Sequence, residues 1–282
     1  MSRIPMGSFC RLVGSLVLGY LLLVLIVAGC QRSMIYYPSQ DAEDTLRKEA
    51  DRVGLEPWLD AEGKLIGWKT PAASKTDGTP SAIVFHGNAG HALHRTYFVD
   101  CFQGRGDREP WNVYILEYPG YGAREGRPSE RTIKAAAEAA VKPLVEGNGS
   151  ENVFLVGESL GCGVACHLAG AYPASISGLL LITPFPSLVA VGQHHYRFLP
   201  VGVLLRDRFE NTDSLQNYDG PAAFVLAGQD RIIPPKLGRA LHDAYDGPKR
   251  LWTLDGRGHN TLDYHPAAQW WGEVIEFLMR EH

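Results

Sequence analysis

The chain has no excess of either charge: 27 Lys and Arg stand against 31 Asp and Glu, a net charge of -4 over 282 residues. Without a basic stripe it lacks the electrostatic footprint by which proteins hold nucleic acid, and no nucleic-acid partner is expected. Cysteine is scarce as well, at five. Cys10 falls at the edge of an N-terminal apolar run and Cys30 closes that run. This leaves Cys101, Cys162 and Cys166, too few for a disulfide framework. Cys162 and Cys166, four apart, share one helical face and read as small core residues. Metal-ligand spacing is missing too. The neighbours His194 and His195 project in different directions on any regular element, with no acid or cysteine near them at ligand spacing, so no metal site is expected. No internal repeat or low-complexity run appears. What remains, 45% hydrophobic and 21% charged, is an ordinary globular chain long enough for one large α/β domain.

The most conspicuous thing present is a long hydrophobic run. Met1 to Arg11 carries Arg3 and Arg11 and no acid, Leu12 to Val27 carries no charge, and Val27-Ala28-Gly29-Cys30 ends the run. A basic head, an apolar stretch and small closing residues make a secretory signal. The last four residues resemble the lipobox of bacterial lipoproteins. That resemblance implies cleavage before Cys30 and lipid on its thiol, and Gln31 in the next place leans toward the outer membrane. The rival is an uncleaved transmembrane anchor, since about 18 apolar residues suffice to span a bilayer. Either tether puts the rest of the chain at a membrane and outside the cytoplasm, on the periplasmic side or in the cell envelope. The expected organisation is a signal or anchor over residues 1–29, a polar lead-in over 30–55 and a folded domain over 56–282.

Within that domain, short apolar runs alternate with helical patterns. A hairpin is expected where Glu56 to Leu59 and Leu65 to Lys69 flank Asp60 to Gly63, and Pro71 to Pro80 reads as a surface loop. Strands follow at Ala82, at Asn112 to Glu117, at Asn152 to Val156 and at Gly178 to Ile182. Helices are expected from Ala92 to Phe102, from Glu130 to Val145 with Pro-Ser-Glu as its start signal, and from Pro266 to Met279. Such alternation predicts a mostly parallel sheet covered on both faces. Pro184 to Tyr218 breaks the alternation with irregular apolar pieces between two strands. Residues 184–218 are therefore expected to form a small cap over a pocket, against the plainer alternative of a peripheral helix.

One stretch carries chemistry. The apolar run ending at Gly157 turns at Ser159 and departs as a helix, giving the G-x-S-x-G pattern Gly157-Glu158-Ser159-Leu160-Gly161. A strand reversing into a helix so abruptly brings two backbones too close for a Cβ at either flank, which explains both glycines. A serine hydroxyl needs a base, an orienting acid and an oxyanion site. Phe224 to Gly228 delivers Asp230 past a strand end, and Leu251 to Leu254 leads through a Gly-rich loop to His259. The order Ser159, Asp230, His259 suits a strand-built triad. Asp255 and Asp263 compete for the acid, but residues so near His259 in the chain more often stabilise its loop. Ala82 to Phe85 runs into His86-Gly87-Asn88-Ala89-Gly90, so the oxyanion donors are expected to be the backbone N–H groups of Asn88 and Leu160. Glu158 reads as a plain strand-end residue, and His91 and His94 as solvated helix-start residues.

These motifs, with Tyr118-Pro119-Gly120-Tyr121-Gly122, Gly228-Gln229-Asp230 with Pro234, and Gly258-His259-Asn260, resemble the α/β-hydrolase superfamily from about Ile35 onward. The branch they look most similar to groups serine aminopeptidase-like and lysophospholipase-like enzymes. Relatives often carry Asp-Tyr-Arg-Gly-Tyr-Gly-x-Ser after the fourth strand, whereas Glu117-Tyr118-Pro119-Gly120-Tyr121-Gly122-Ala123-Arg124 stands here. That departure lies near the expected pocket and bears on substrate rather than on chemistry. The resemblance implies an α/β-hydrolase fold with a small cap, and a serine hydrolase that cleaves a carboxylic ester or related acyl bond through an acyl-enzyme, with no metal or cofactor. A peptidase is the rival enzyme, and a non-catalytic membrane-tethered binding lipoprotein is the rival from another class.

Overall fold

The computed structural model describes residues 6–71, 78–103, 110–146 and 152–280, so most of the surface loop expected from Pro71 to Pro80 lies outside the described residues. Eight strands form the main sheet: β1 (Glu56–Leu59), β2 (Leu65–Lys69), β3 (Ser81–Phe85), β4 (Asn112–Leu116), β5 (Val153–Glu158), β6 (Ile176–Ile182), β7 (Ala222–Ala227) and β8 (Lys249–Leu254). Their spatial order is β8-β7-β6-β5-β3-β4-β2-β1. β2 alone runs against its neighbours. The β1–β2 hairpin turns where Asp60 Oδ1 accepts from the N–H groups of Glu62 and Lys64 at 3.0 and 2.8 Å, leaving Gly63 in the left-handed region at φ 78°. β3, β6 and β7 are buried along their whole length. Strands covered on both faces have no solvent side to mark with polar residues, which is why they read in sequence as unbroken apolar runs.

The helices, in chain order, are α1 (Met6–Ile35), α2 (Glu43–Arg52), α3 (Tyr97–Phe102), α4 (Glu130–Val145), α5 (Gly161–Ala171), α6 (Leu188–His195), α7 (Val201–Leu204), α8 (Asn211–Ser214), α9 (Pro235–Ala244) and α10 (Gln269–Arg280). One face of the sheet is covered by α4, α5 and α9 through residues such as Ala137, Cys162, Cys166 and Leu241. The other is covered by α2, α3 and α10 through Leu46, Phe98, Trp271 and Val274. Ser129 caps α4 by accepting from the Thr132 N–H at 3.1 Å, as its start signal implies. The helix expected over Ala92 to Phe102 is divided into a 3₁₀ turn, Ala92–Arg95, and α3. The lead-in is more ordered than its polarity suggests. α1 continues to Ile35, Tyr37–Pro38 pairs in parallel with Ala89–Gly90, and α2 buries Leu46 and Ala50, four apart on one face.

Between β6 and β7 the segment expected as a cap is a set of short helical pieces, α6, α7 and α8, closed by a 3₁₀ turn at Leu215–Asn217. Because β3, β5, β7 and β8 are parallel, the residues that follow their C-terminal ends gather at one edge of the sheet, under α6 and α7. That edge is held by one close approach. A Cβ on Gly161 would lie 1.9 Å from the carbonyl oxygen of Phe85, and one on Gly157 would lie 2.6 Å from Cys162 Cα. We expect Gly161→Ala to lower the thermal midpoint of the detergent-solubilised protein sharply, by about 3 kcal/mol or more of stability, because the clash is with backbone and cannot rotate away. Gly202→Ala, whose Cβ would meet nothing nearer than 3.6 Å, should change it little.

Candidate active site

Ser159 sits at the crossing of β5 and α5 with φ 53°, a left-handed conformation that non-glycine residues rarely adopt. Its N–H donates to the Ile182 carbonyl at 2.8 Å, which fixes the turn and leaves the hydroxyl pointing off the sheet edge. His259, on the loop after β8, approaches with Nε2 3.0 Å from Ser159 Oγ. Its Nδ1 lies 2.6 Å from Asp230 Oδ2. Asp230 is buried, and its other oxygen accepts from the N–H groups of Ile232 and Ile233, each at 2.8 Å. The carboxylate is thereby fixed from one side and spends its second oxygen on the imidazole. Asp255 and Asp263 are exposed, and neither bonds His259 among the described residues. Asp263 lies 3.8 Å from Arg257 and accepts from the His265 N–H, holding the loop itself.

The loop after β3 presents its carbonyls outward, and each finds a donor. Tyr118 Oη donates to the His86 carbonyl at 2.8 Å and Tyr121 Oη to that of Asn88 at 2.7 Å. The Asn88 carbonyl also accepts the Tyr37 N–H at 2.9 Å, Arg95 Nη2 reaches the Ala89 carbonyl at 3.3 Å, and the Gly90 carbonyl accepts the Ser39 N–H. The Asn88 side chain is used too, donating to the Ile35 carbonyl at 2.7 Å. By contrast, the backbone N–H groups of Asn88 and Leu160 donate to no backbone or side-chain acceptor among the described residues. Pinned carbonyls and unpaired N–H groups are what an anion site at this edge requires. The stretch Tyr118 to Gly122, expected to bear on substrate, thus has a different position: Tyr118 and Tyr121 are fully buried behind the loop and hold it.

Two further groups escaped the sequence reading. Glu158 is not a plain strand-end residue. Its carboxylate meets Arg95 Nε at 2.5 Å, with both side chains mostly buried. Burial opposes the charge on Arg95, but the Glu158 carboxylate outweighs it and holds the guanidinium pKa above its ordinary value. The pair ties the strand before Ser159 to the loop carrying Asn88. Burial, and then the charge of Glu158, raises the neighbouring Tyr97 phenol as well. Neither partner lies at a spacing that would reveal the other. His91 is buried rather than solvated and stacks on His94, their ring centroids 3.8 Å apart. His194 and His195 differ in surroundings, and only His195 reaches the pocket, its Nε2 2.8 Å from the Ile232 carbonyl.

Ser159 and His259 form the floor of a cavity of about 590 Å³. The cap supplies apolar walls through Leu188, Val191, Leu199 and Leu205, whereas Phe198 faces outward. The remaining wall is unexpected: Val27, Ala28 and Met34 of α1 line it. A serine hydroxyl hydrogen-bonded to an imidazole, two N–H groups unpaired among the described residues and an apolar chamber are together a set that can bind an acyl compound and attack its carbonyl.

The family described as the alpha/beta hydrolase fold matches residues 81–203. An uncharacterized protein of Mycobacterium tuberculosis is 32% identical over 241 residues, which cover 84% of this chain and 83% of that one. Alpha/beta hydrolase domain-containing protein 17B of Homo sapiens is 28% identical over 202 residues, 70% of this chain and 65% of its own. Among solved structures, Est1E from Butyrivibrio proteoclasticus with ferulic acid bound superposes with a TM-score of 0.62 at 18% identity, over 80% of this chain and 99% of that one. An esterase of Pyrococcus furiosus superposes with a TM-score of 0.64 at 15% identity, over 88% and 98%. At these identities the structures share the fold.

The Arg95–Glu158 pair gives a test that needs no substrate. Arg95→Met and Glu158→Gln should each destabilise the protein by about 1–3 kcal/mol in chemical denaturation, since each leaves a mostly buried partner unmatched. The double variant should fall short of the sum by at least about 0.5 kcal/mol. Strict additivity would show that the two do not act together.

Proposed function

The chain belongs to the α/β-hydrolase superfamily, and from that premise we propose that it is a serine hydrolase cleaving a carboxylic ester or a related acyl bond. The observation that carries this reading is the unbroken line from Asp230 through His259 to Ser159 at the floor of an apolar cavity. Ser159 Oγ attacks the carbonyl carbon while His259 Nε2 takes its proton. Asp230 holds the imidazole in the tautomer whose Nδ1 carries hydrogen and stabilises the imidazolium that forms. The N–H groups of Asn88 and Leu160 receive the oxyanion. The bond to the leaving group breaks as His259 returns the proton to it. Water then attacks the acyl-enzyme by the same route, releasing the acid and restoring Ser159. Walls of leucine and valine suit an acyl chain better than a peptide backbone, whose amides would lose hydrogen bonds to water there.

The protein works at a membrane, held by α1. The uncharged part of α1, Leu12 to Gln31, is long enough to cross a bilayer. Of the two tethers that the sequence allows, the geometry supports the uncleaved helix over lipid on Cys30. Val24, Val27, Ala28, Gln31 and Ile35 recur on the one face that α1 turns to the domain, and Cys30 is exposed off that face. Arg3 and Arg11 precede the run with no acid, a pattern that retains the N-terminus inside and leaves the catalytic domain outside the cytoplasm.

Two measurements check these statements. Ser159→Ala and His259→Ala should each abolish turnover of p-nitrophenyl esters, and Asp230→Asn should lower it by about a thousandfold or more, with the fold intact. Asp255→Asn and Asp263→Asn should leave it within a fewfold, and the opposite pattern would show that another carboxylate orients His259. Mass spectrometry of the membrane-extracted protein should find Cys30 unmodified within an intact N-terminal helix. A mature N-terminus at a lipidated Cys30 would assign the tether to lipid.

A further inference from the structure

α1 does not stand clear of the catalytic domain. Tyr20 Oη donates to the Phe198 carbonyl at 2.8 Å, and from there to Ile35 one face of the helix lies along the cap. This contact meets a length constraint. From Leu12, the first residue past Arg11, to the residue before Tyr20 there are about 8 residues, roughly 12 Å of helix at 1.5 Å per residue. The hydrocarbon core is roughly 30 Å thick. A helix that spans it must therefore keep the residues that touch the cap inside the bilayer, and the cap edge goes in with them.

The cap edge has the composition that this demands. From Tyr196 to Leu205 the only charge is Arg197, whose long side chain can reach back to headgroups. Among the described residues, the most exposed large apolar side chains outside α1 are Val203 and Phe198, at 87% and 64%. Both apolar stretches also end at one level. Gln31 Nε2 donates to the Leu204 carbonyl at 3.2 Å, and Gln31 Oε1 accepts the Arg206 N–H at 2.7 Å. Immediately beyond, Arg32 grips Asp207 with two bonds of 3.0 and 3.2 Å. Charge thus begins at the same height on the helix and on the cap, as it would at a headgroup boundary.

We infer that the cap edge from Tyr196 to Leu205 is immersed with α1 in the bilayer, so that a long acyl chain enters the cavity from the membrane. The cavity walls connect the two places: Val27, Ala28, Leu199, Leu204 and Leu205 lie at the immersed side, and Ser159 lies on the floor. The substrate class is a membrane-resident acyl ester or thioester, a statement that rests on the hydrolase and anchor readings above. Immersion itself can be read without catalysis.

The full chain carrying Cys10→Ser and Cys30→Ser is reconstituted in phosphatidylcholine bilayers, the other cysteines being buried. A spin label is then placed through Val203→Cys, Leu21→Cys or Asp243→Cys. Labels at 203 and 21 should collide more with oxygen than with a water-soluble nickel chelate, and the label at 243 should do the reverse. A label at 203 that behaves like the one at 243 overturns the inference, including the case in which a partner protein rather than lipid covers Val203 in the cell. A label at 21 that is also open to nickel overturns it through the anchor. In parallel, Phe198→Asp/Val203→Asp should lose at least tenfold on a long-chain ester held in the bilayer and stay within twofold on p-nitrophenyl acetate. Equal losses on both would overturn the membrane route. If the unsubstituted protein turns over neither ester, the hydrolase reading and the acyl route fall, while the labels still decide immersion.

Discussion

The site depends on one close approach, that of the β5–α5 turn to the end of β3. Gly161 fits against the Phe85 carbonyl only because it has no Cβ. Ser159 takes its left-handed backbone to make that turn, and the Ile182 carbonyl on the adjacent strand secures it. With the turn so tight, Ser159 and the loop after β3 are brought side by side: a Cβ on Gly87 would lie 3.6 Å from that of Ser159. A looser turn would separate them. Strain in the backbone at Ser159 is thus balanced by packing across three strands, which is how such conformations persist.

Around that turn the chain spends its polar groups on the loop from His86 to Gly90. Tyrosine hydroxyls, backbone N–H groups of the segment after α1 and a paired arginine hold the loop's carbonyls from behind. A preorganised site works this way: donors are oriented before charge develops, so no reorganisation is needed when it does. The same segment links the site to the N-terminal helix, through Asn88 Nδ2 on the Ile35 carbonyl and the Tyr37 N–H on Asn88. The N-terminal helix and the loop after β3 therefore share hydrogen bonds, and the position of the helix is part of the geometry of that sheet edge.

Much of this was legible in the sequence because parallel sheets place function at strand ends. Ser159, Asp230 and Asn88 each follow a short apolar run that is a buried strand, and His259 follows an edge strand of which only Trp252 is buried. That they gather at one edge follows from strand direction; which of them meet depends on strand order and on the loops that follow. What was not legible depends on partners distant in sequence. Arg95 and Glu158 stand 63 residues apart and carry no spacing that signals a pair. Tyr118 and Tyr121 look like pocket residues because the loop is near the pocket, and only the direction of their hydroxyls shows that they stand behind it. The lead-in reads only as polar because Leu46 and Ala50 give too short an apolar face to register as a helix. The cavity wall made by Val27 and Ala28 was hidden for a further reason: an apolar run that suffices as a signal or an anchor leaves no sign that one of its faces also packs on a domain.

The proposed chemistry requires Ser159 to be a nucleophile activated by His259. Treating the membrane-extracted protein with a fluorophosphonate and mapping the adduct by peptide mass spectrometry tests it most directly. One stoichiometric adduct is expected, on Ser159, and it should be lost in His259→Ala. No adduct on the folded protein, or labelling of a different serine, would contradict it.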